Sequence, residues 1–251
     1  MKAWMYAAVV AAGFAVGTPA AMADEIVVSA AASLTNAFKD VAKQFEAKHP
    51  GTKVLTSFGA SDVVLQQIVN GAPADVFASA DEKAMDKAVA QKAVDPATRK
   101  DFARNGVVLI VPTDSKLGLH DVKDLKRADV KRVTYGNPAS VPVGRYTEAS
   151  LKQVGMWQAV QPKAVLAQNV RQALDYVARG EVEAGFVFGT DAAIMPDKVK
   201  VVQALPAPKP VLYPIAVVAR KGVSPHAGEF VKFVLSPQGQ EILAHYGFKK
   251  P

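Results

Sequence analysis

The chain has 251 residues, no cysteine and a formal net charge of +7, with a sequence pI near 9.4. The lack of cysteine excludes disulfides, a thiolate nucleophile, Cys-ligated metals and the cysteine that lipid attachment requires. The 30 Lys and Arg residues are interleaved with 23 Asp and Glu residues. This mixture predicts a solvated basic surface and no nucleic-acid binding.

The first 23 residues have the features of a cleavable secretory signal. Lys2 precedes an apolar stretch at 7–16, and Ala21-Met22-Ala23 fits an A-x-A cleavage site. The stretch is too short for a membrane anchor, and no later segment has about 18 uninterrupted apolar residues. We therefore expect cleavage after Ala23 and a free, monomeric periplasmic protein.

Short β-branched runs alternate with helical patterns along the chain, which is typical of parallel sheets covered by helices. The first series pairs strands and helices at 26–28 with a helix from 33, 53–58 with 62–69, and 76–79 with 82–91. After an apolar run at 107–111, the second series has 132–135 with 144–153, 164–167 with 170–179, and 185–188 with 191–194. A strand at 213–219 and a final helix, 226–235 continuing through 238–245, complete the pattern.

These patterns predict an α/β protein with two lobes and a ligand cleft between them. The final helix has no sheet of its own, so we expect it to pack on the first unit. Lobe I would then be discontinuous and comprise 24–111 plus 212–251, while lobe II would comprise 112–211.

The helix predicted to begin at Ser33 is the first candidate binding element. Leu34, Phe38, Val41 and Phe45 fall on one face of that helix. The free N–H groups of a helix start can bind an oxyanion. For this serine alone, a helix N-cap is the simpler interpretation.

Three further strand-to-helix junctions resemble the first, at Ser61, at Pro142-Val143 and at Val170. Ligands of open α/β sheets bind at the carboxyl ends of the strands. Four helix starts, two from each lobe, can therefore surround one small anion. We expect Arg145 and Arg171, which lie just inside two of these helices, to point to solvent and not to bind the anion directly.

The chain lacks the residue patterns that are typical of enzymes. The histidines have no metal-ligand spacing, and the chain has neither a G-x-S-x-G elbow nor a G-x-x-x-x-G-K-[ST] loop. We therefore predict a binding protein without catalytic activity and without a cofactor.

Five segments of the chain closely resemble one known family. They are Ala-Ala-Ala-Ser-Leu-Thr at 30–35, Gly-Ala-Pro-Ala-Asp-Val-Phe at 71–77, Val-Pro-Val-Gly at 141–144, Asn-Val-Arg-Gln-Ala-Leu at 169–174 and Phe-Gly-Thr-Asp-Ala at 188–192. In this order they resemble the periplasmic molybdate-binding proteins of the ModA family. The resemblance implies a type II periplasmic binding fold that captures molybdate or tungstate and delivers it to a membrane ABC permease with its ATPase. A binding protein for another tetrahedral oxyanion, such as sulfate or thiosulfate, is the alternative.

The same resemblance implies the ligands of the anion. Molybdate or tungstate would be held through its oxygens by the hydroxyls and N–H groups of Ser33 and Ser61 and by the backbone N–H groups of Val143 and Val170. The family's fifth ligand is a tyrosine hydroxyl, and this chain has Phe188 there. A site made only of donors favours a fully ionised dianion over a protonated one, whose O–H would lack an acceptor.

Overall fold

The computed structural model describes residues 24–251, so the predicted signal at 1–23 lies outside the described residues. In this part of the chain, no helix combines the length and the apolar character needed to cross a membrane. Two five-stranded sheets, each covered by helices, form the architecture. The predicted α/β class and its two-lobed arrangement are confirmed.

The first sheet has the strand order β2-β1-β3-β10-β4. Strands β1, β2 and β3 are parallel, whereas β10 is antiparallel to both of its neighbours. Its strands are β1 (Asp24–Ala31), β2 (Thr52–Gly59), β3 (Val76–Ala78), β4 (Lys100–Asn105) and β10 (Val211–Val217).

The second sheet repeats this topology with the order β7-β6-β8-β5-β9. Strands β6, β7 and β8 are parallel, and β5 is antiparallel to β8 and β9. Its strands are β5 (Val107–Pro112), β6 (Val133–Gly136), β7 (Ala164–Ala167), β8 (Ala184–Phe188) and β9 (Val199–Ala204). Lobe I, built on the first sheet, accordingly consists of 24–105 with 211–251, and lobe II, built on the second, consists of 107–204.

Nine α-helices cover the sheets in the described part of the chain. They are α1 (Thr35–Lys48), α2 (Ser61–Val69), α3 (Glu82–Ala90), α4 (Pro142–Gln153), α5 (Trp157–Val160), α6 (Val170–Ala178), α7 (Gly189–Ala192), α8 (Ala227–Leu235) and α9 (Pro237–His245). Short 3₁₀ turns occur at Ala32–Leu34, Pro96–Thr98, Val122–Lys126 and Gln161–Lys163.

The chain crosses between the sheets earlier than the sequence pattern predicts. The pattern places the run at 107–111 in lobe I, but β5 pairs with β8 and β9 in the second sheet. All six residues of β5 are buried, which fits a strand with a neighbour on each side. The first crossing is therefore at Gly106, and the second lies between β9 and β10.

The C-terminal segment packs on lobe I, as predicted, but as two helices. Ser236 ends α8, and Pro237 begins α9, because proline fits the first position of a helix and not its interior. The ring of Phe230 on α8 packs against Phe38 and Phe45 of α1, with ring centroids 6.2 and 5.3 Å away. This aromatic cluster attaches the end of the chain to the lobe that begins it.

Candidate functional site

Ser33, Ser61, Val143, Val170 and Phe188 line one cavity between the two lobes. Its volume is about 10 Å³, far below the range of about 300–1,000 Å³ typical of sites for drug-sized molecules. The complete lining is Ala31, Ala32, Ser33, Gly59, Ala60, Ser61, Ala80, Val141, Pro142, Val143, Val170 and Phe188. None of these residues is ionisable, so the cavity offers hydroxyl and backbone groups within an apolar wall.

The repeated sheet topology explains why these residues meet. In lobe I, Ala31 at the end of β1 pairs with Gly59 at the end of β2. Ser33 follows Ala31 by two residues in the sequence, and Ser61 follows Gly59 by the same number. In lobe II, Gly136 at the end of β6 pairs with Ala167 at the end of β7, and the helices α4 and α6 follow. The carboxyl ends of equivalent strands thus face each other across the cleft.

The helices at the cavity begin without side-chain caps on their first N–H groups. Neither α2 nor α4 has a capping side chain, whereas α3 is capped by Asp81 and α9 by Ser236. In α6, Asn169 accepts from the N–H of Gln172, which leaves the earlier groups free of that cap. The uncapped N–H groups and the positive ends of the helix dipoles are suited to an anion.

The two serines are not helix N-caps, so the simpler interpretation of Ser33 is wrong. Ser33 lies inside the 3₁₀ turn at Ala32–Leu34, and Ser61 is the first residue of α2, with Ala60 in the cap position. The Ser33 Oγ is 3.1 Å from the Tyr213 hydroxyl. The Ser61 Oγ accepts a 3.0 Å hydrogen bond from the N–H of Ala80. The Ser33 hydroxyl is therefore tied to a residue behind the cavity wall, and the Ser61 hydroxyl to a residue of the wall itself.

Phe188 is buried at the end of β8 and forms an apolar part of the wall. Its ring makes edge contacts with Tyr213, at 5.7 Å between centroids, and with Tyr146, at 6.3 Å. The Tyr213 hydroxyl touches Ser33 and does not line the cavity. The hydroxyl missing at Phe188 is thus not replaced directly by this neighbour.

The start of α4 lies against the end of β6 at the closest distance that backbones allow. A Cβ atom added at Gly144 would lie 1.8 Å from the carbonyl oxygen of Gly136. Only glycine at 144 permits this approach. The contact sets the position of the neighbouring Val143 N–H in the cavity wall.

Arg145 joins the two lobes and does not point to solvent, so that expectation is wrong. From α4 it donates from Nε to Asp81, at 2.7 Å, and from Nη2 to Asp62, at 2.6 Å. Asp62 also pairs with Lys87 within lobe I. Burial alone would lower the pKa of Arg145, but Asp81 and Asp62 outweigh it and raise this pKa. The guanidinium lies outside the cavity lining.

Arg171 also crosses the cleft, from α6 to the first turn of lobe I. Its Nη1 donates to Asn36 Oδ1 at 2.8 Å, and its Nη2 donates to the Ser33 carbonyl at 3.3 Å. Its Nε lies 2.6 Å from Asp191 Oδ1 as an ion pair without hydrogen-bond geometry. Burial raises the pKa of Asp191 to about 6, although the Arg171 charge partly offsets this.

The remaining candidates for chemistry have structural partners. Within residues 24–251, no group of three or more His, Asp or Glu side chains is arranged to hold a metal ion. Asp75 accepts from Arg220 and from the backbone N–H groups of Val27 and Ser224. These bonds join β1 and β3 to the segment after β10, and they lie away from the cavity.

Two residues around the site, Asn105 and Tyr213, were absent from the sequence prediction, as was the lobe-joining role of Arg145. Asn105 donates to Tyr213 and Thr190, and Tyr213 contacts a serine 180 positions away. Such contacts depend on how the strands of two sheets are ordered. No local spacing signals them.

Comparison with known proteins agrees with the architecture. Residues 26–249 match the family model described as bacterial extracellular solute-binding protein. The molybdate-binding protein ModA of Escherichia coli K12 is 40% identical over 241 residues, which cover 91% of each chain.

Two solved structures are also similar. The periplasmic molybdate-binding protein of Azotobacter vinelandii superposes with a TM-score of 0.76 at 28% identity, covering 90% of this chain and 99% of that one. The substrate-binding domain of a putative molybdenum ABC transporter from Clostridium difficile gives 0.69 at 33% identity, with 90% and 99% coverage. This chain therefore belongs to the bacterial extracellular solute-binding proteins and, among them, to the ModA family.

Proposed function

We propose that this protein captures molybdate, and also tungstate, between its two lobes and delivers it to a membrane ABC permease. The anion is the cargo and is held through its oxygens by Ser33, Ser61, Val143 and Val170. The protein acts by binding alone, without catalysis or a cofactor. It works as a monomer in the periplasm after removal of residues 1–23.

One observation carries this proposal: a small cavity between the lobes is lined by residues of both lobes and by no ionisable side chain. An anion that contacts both lobes binds the closed form more tightly than the open one, so it shifts the population toward closure. A permease that recognises the closed form would then select the loaded protein. The names of the similar proteins from Escherichia coli, Azotobacter vinelandii and Clostridium difficile supply the choice of molybdate and of an ABC transporter.

A cavity of hydroxyl and N–H donors also suits sulfate and thiosulfate, because these anions are fully ionised near neutral pH. Molybdate and tungstate are larger, so the size of the closed cavity decides between them and sulfate. Protonated phosphate is disfavoured because its O–H finds no acceptor in the wall.

The test is the melting temperature of the exported, purified protein with molybdate, tungstate, sulfate or thiosulfate. A ligand at 100 times its dissociation constant adds about 2.7 kcal/mol to the free energy of unfolding. We expect molybdate and tungstate to raise the melting temperature, and we expect no such shift in a Ser33→Ala, Ser61→Ala double variant. A shift with sulfate alone would refute the molybdate assignment and leave the binding-protein fold untouched.

A further inference from the structure

The proton of the Ser33 hydroxyl can be placed by following the hydrogen bonds behind it. A hydroxyl can donate or accept, and its hydrogen rotates to suit its neighbours. A backbone N–H can only donate. A chain of bonds that starts at such a group therefore has a fixed direction.

The chain of hydrogen bonds starts at the backbone N–H of Gly106, where the polypeptide crosses between the lobes. This group donates to Asn105 Oδ1 at 2.9 Å, which identifies that atom as the amide oxygen. The Asn105 Nδ2 group must then be the donor on the other side. It donates to the Tyr213 hydroxyl oxygen at 3.2 Å and to Thr190 Oγ1 at 2.8 Å.

The bond from Asn105 also fixes the direction of the hydrogen bond between Tyr213 and Ser33. Its hydroxyl oxygen accepts from Asn105, and among residues 24–251 its other partner is Ser33 Oγ, at 3.1 Å. Tyr213 is completely buried, and burial raises its pKa well above the ordinary value, so the phenol keeps its proton. If Ser33 donated instead, the buried Tyr213 proton would lack an acceptor, at a cost typical of an unsatisfied buried group.

The remaining Ser33 hydrogen then points away from Tyr213, on the side of the cavity. Ser61 is constrained in the same way by a shorter route. It accepts directly from the N–H of Ala80, so its own hydrogen is also left for the cavity. Two serines from one lobe thus present hydrogens to the same space.

We propose that Asn105 and Tyr213 are positioning residues that keep the Ser33 hydroxyl hydrogen available to donate to the bound oxyanion. The inference deepens the proposed function and rests on it. Without the Tyr213 hydroxyl, the Ser33 hydrogen is no longer excluded from that side and is less often directed at the anion.

The test is a double-mutant cycle on the exported protein, with dissociation constants measured by calorimetry. Tyr213→Phe keeps the buried ring and removes the relay. We expect it to weaken molybdate binding about three- to tenfold, the effect of one modest hydrogen-bond contribution. In a Ser33→Ala background, the same substitution should change the dissociation constant by less than about twofold, because Tyr213 acts only through Ser33.

Two further variants serve as a control and as an independent test of the relay. Tyr135→Phe is the matched control, because Tyr135 is a buried tyrosine of lobe II that does not line the cavity; it should leave affinity unchanged. Asn105→Ala removes the link between Gly106 and Tyr213. It should weaken binding when Ser33 is present but not in the Ser33→Ala background. It keeps the test available if Tyr213→Phe lowers the melting temperature of the unliganded protein too far.

Equal weakening by Tyr213→Phe in both backgrounds, or none in the Ser33 background, overturns the relay. If the unmodified protein binds sulfate and not molybdate, the molybdate assignment fails, and the same cycle with sulfate still decides the relay. If it binds none of the tetrahedral oxyanions, both proposals are wrong.

Discussion

Phe188 stands where the family resemblance implies a tyrosine hydroxyl, and the structure places its ring in the cavity wall. The ring contacts Tyr146 and Tyr213 and forms an apolar part of the cavity wall, where it offers no hydroxyl donor. A hydrogen bond to a charged group contributes about 1.5–3 kcal/mol. The remaining donors must hold the anion without it.

Phe188→Tyr should therefore tighten molybdate binding, by about tenfold if the new hydroxyl reaches one anion oxygen. Calorimetry on the variant and the unmodified protein measures the change. The Tyr135→Phe variant controls for general effects of altering a buried aromatic residue. Unchanged or weaker binding in Phe188→Tyr would contradict the argument that a donor is missing.

Asp191 gives the stability of the protein a pH dependence of defined sign. Its pKa is about 6 in the folded state, above the ordinary value of 3.8, because burial disfavours the carboxylate more than Arg171 favours it. As pH rises from 4 to 6, the unfolded chain loses this proton before the folded one does. The contribution of Asp191 to stability therefore falls over this window, by about 2 kcal/mol.

Denaturant unfolding of the unmodified protein and of Asp191→Asn, at pH 4 and pH 7, measures this effect. Asparagine cannot titrate, so the difference in unfolding free energy between the two proteins should shift by about 2 kcal/mol between these pH values. The Arg171 ion pair forms only when Asp191 is ionised, so its contribution is already contained in this shift. A constant difference across the window would show that Asp191 is ionised in both states.

At the scale of elements, the site depends on how closely helix starts approach strand ends. The positions of α2, α4 and α6 were predicted within a few residues, because apolar periodicity and the small residues before each helix are visible locally. The strands β4 and β9 were not predicted. Strand β4 (Lys100–Asn105) lies at the edge of its sheet and mixes charged with apolar residues. In β9 (Val199–Ala204), half of the residues are exposed. Neither strand therefore has a strong apolar run.

Gly144→Ala tests whether the approach of α4 to β6 matters for binding. The added methyl group would overlap the Gly136 carbonyl, so α4 must move and carry the Val143 N–H with it. We expect a loss of about 1–3 kcal/mol of stability, as for other overpacked sites, together with weaker molybdate binding. Thermal unfolding and calorimetry measure the two effects.

Gly228→Ala is the matched control for this variant. Gly228 also lies in the first turn of a helix, α8, and no atom lies within 4 Å of the position its Cβ would take. Alanine there should leave affinity unchanged and stability equal or slightly higher, since alanine is the better helix former. Similar losses in both variants would mean that the Gly144 effect is not one of close approach.

Across the whole molecule, polar side chains join the lobes around an uncharged cavity. Arg145 reaches Asp62 and Asp81, and Arg171 reaches Asn36 and the Ser33 carbonyl. The sequence placed these arginines near the site but gave no indication of their partners, which lie 64 or more positions away. The charged groups at the cleft thus bridge the lobes, while the residues proposed to bind the anion are neutral.

Arg145→Gln should shift the unliganded protein toward open forms. The variant loses the bridge and leaves Asp62 and Asp81 facing each other, so closure becomes less favourable. Apparent affinity falls in proportion to the closed fraction, and we expect about three- to tenfold weaker molybdate binding. Small-angle X-ray scattering should give a larger radius of gyration without ligand.

Arg99→Gln provides a matched control because Arg99 also bridges two carboxylates, Glu82 and Asp86, but entirely within lobe I. It should change neither the radius of gyration nor the affinity. Asp81 is a poorer choice for substitution, since its side chain also caps α3. An unchanged radius and affinity in Arg145→Gln would remove this arginine from the closure of the cleft.

Because the chain crosses between the sheets twice, the two lobes can be completed at different times as the chain is synthesised. All five strands of lobe II lie in one continuous stretch, from Val107 to Ala204. In lobe I, β3 and β4 have no contact in the sheet until β10, made more than a hundred residues after β4, is inserted between them. The lobe whose strands come first is thus the last that can be completed. Tyr213 lies on that late strand, so the partner that orients Ser33 is among the final parts of the site to be put in place.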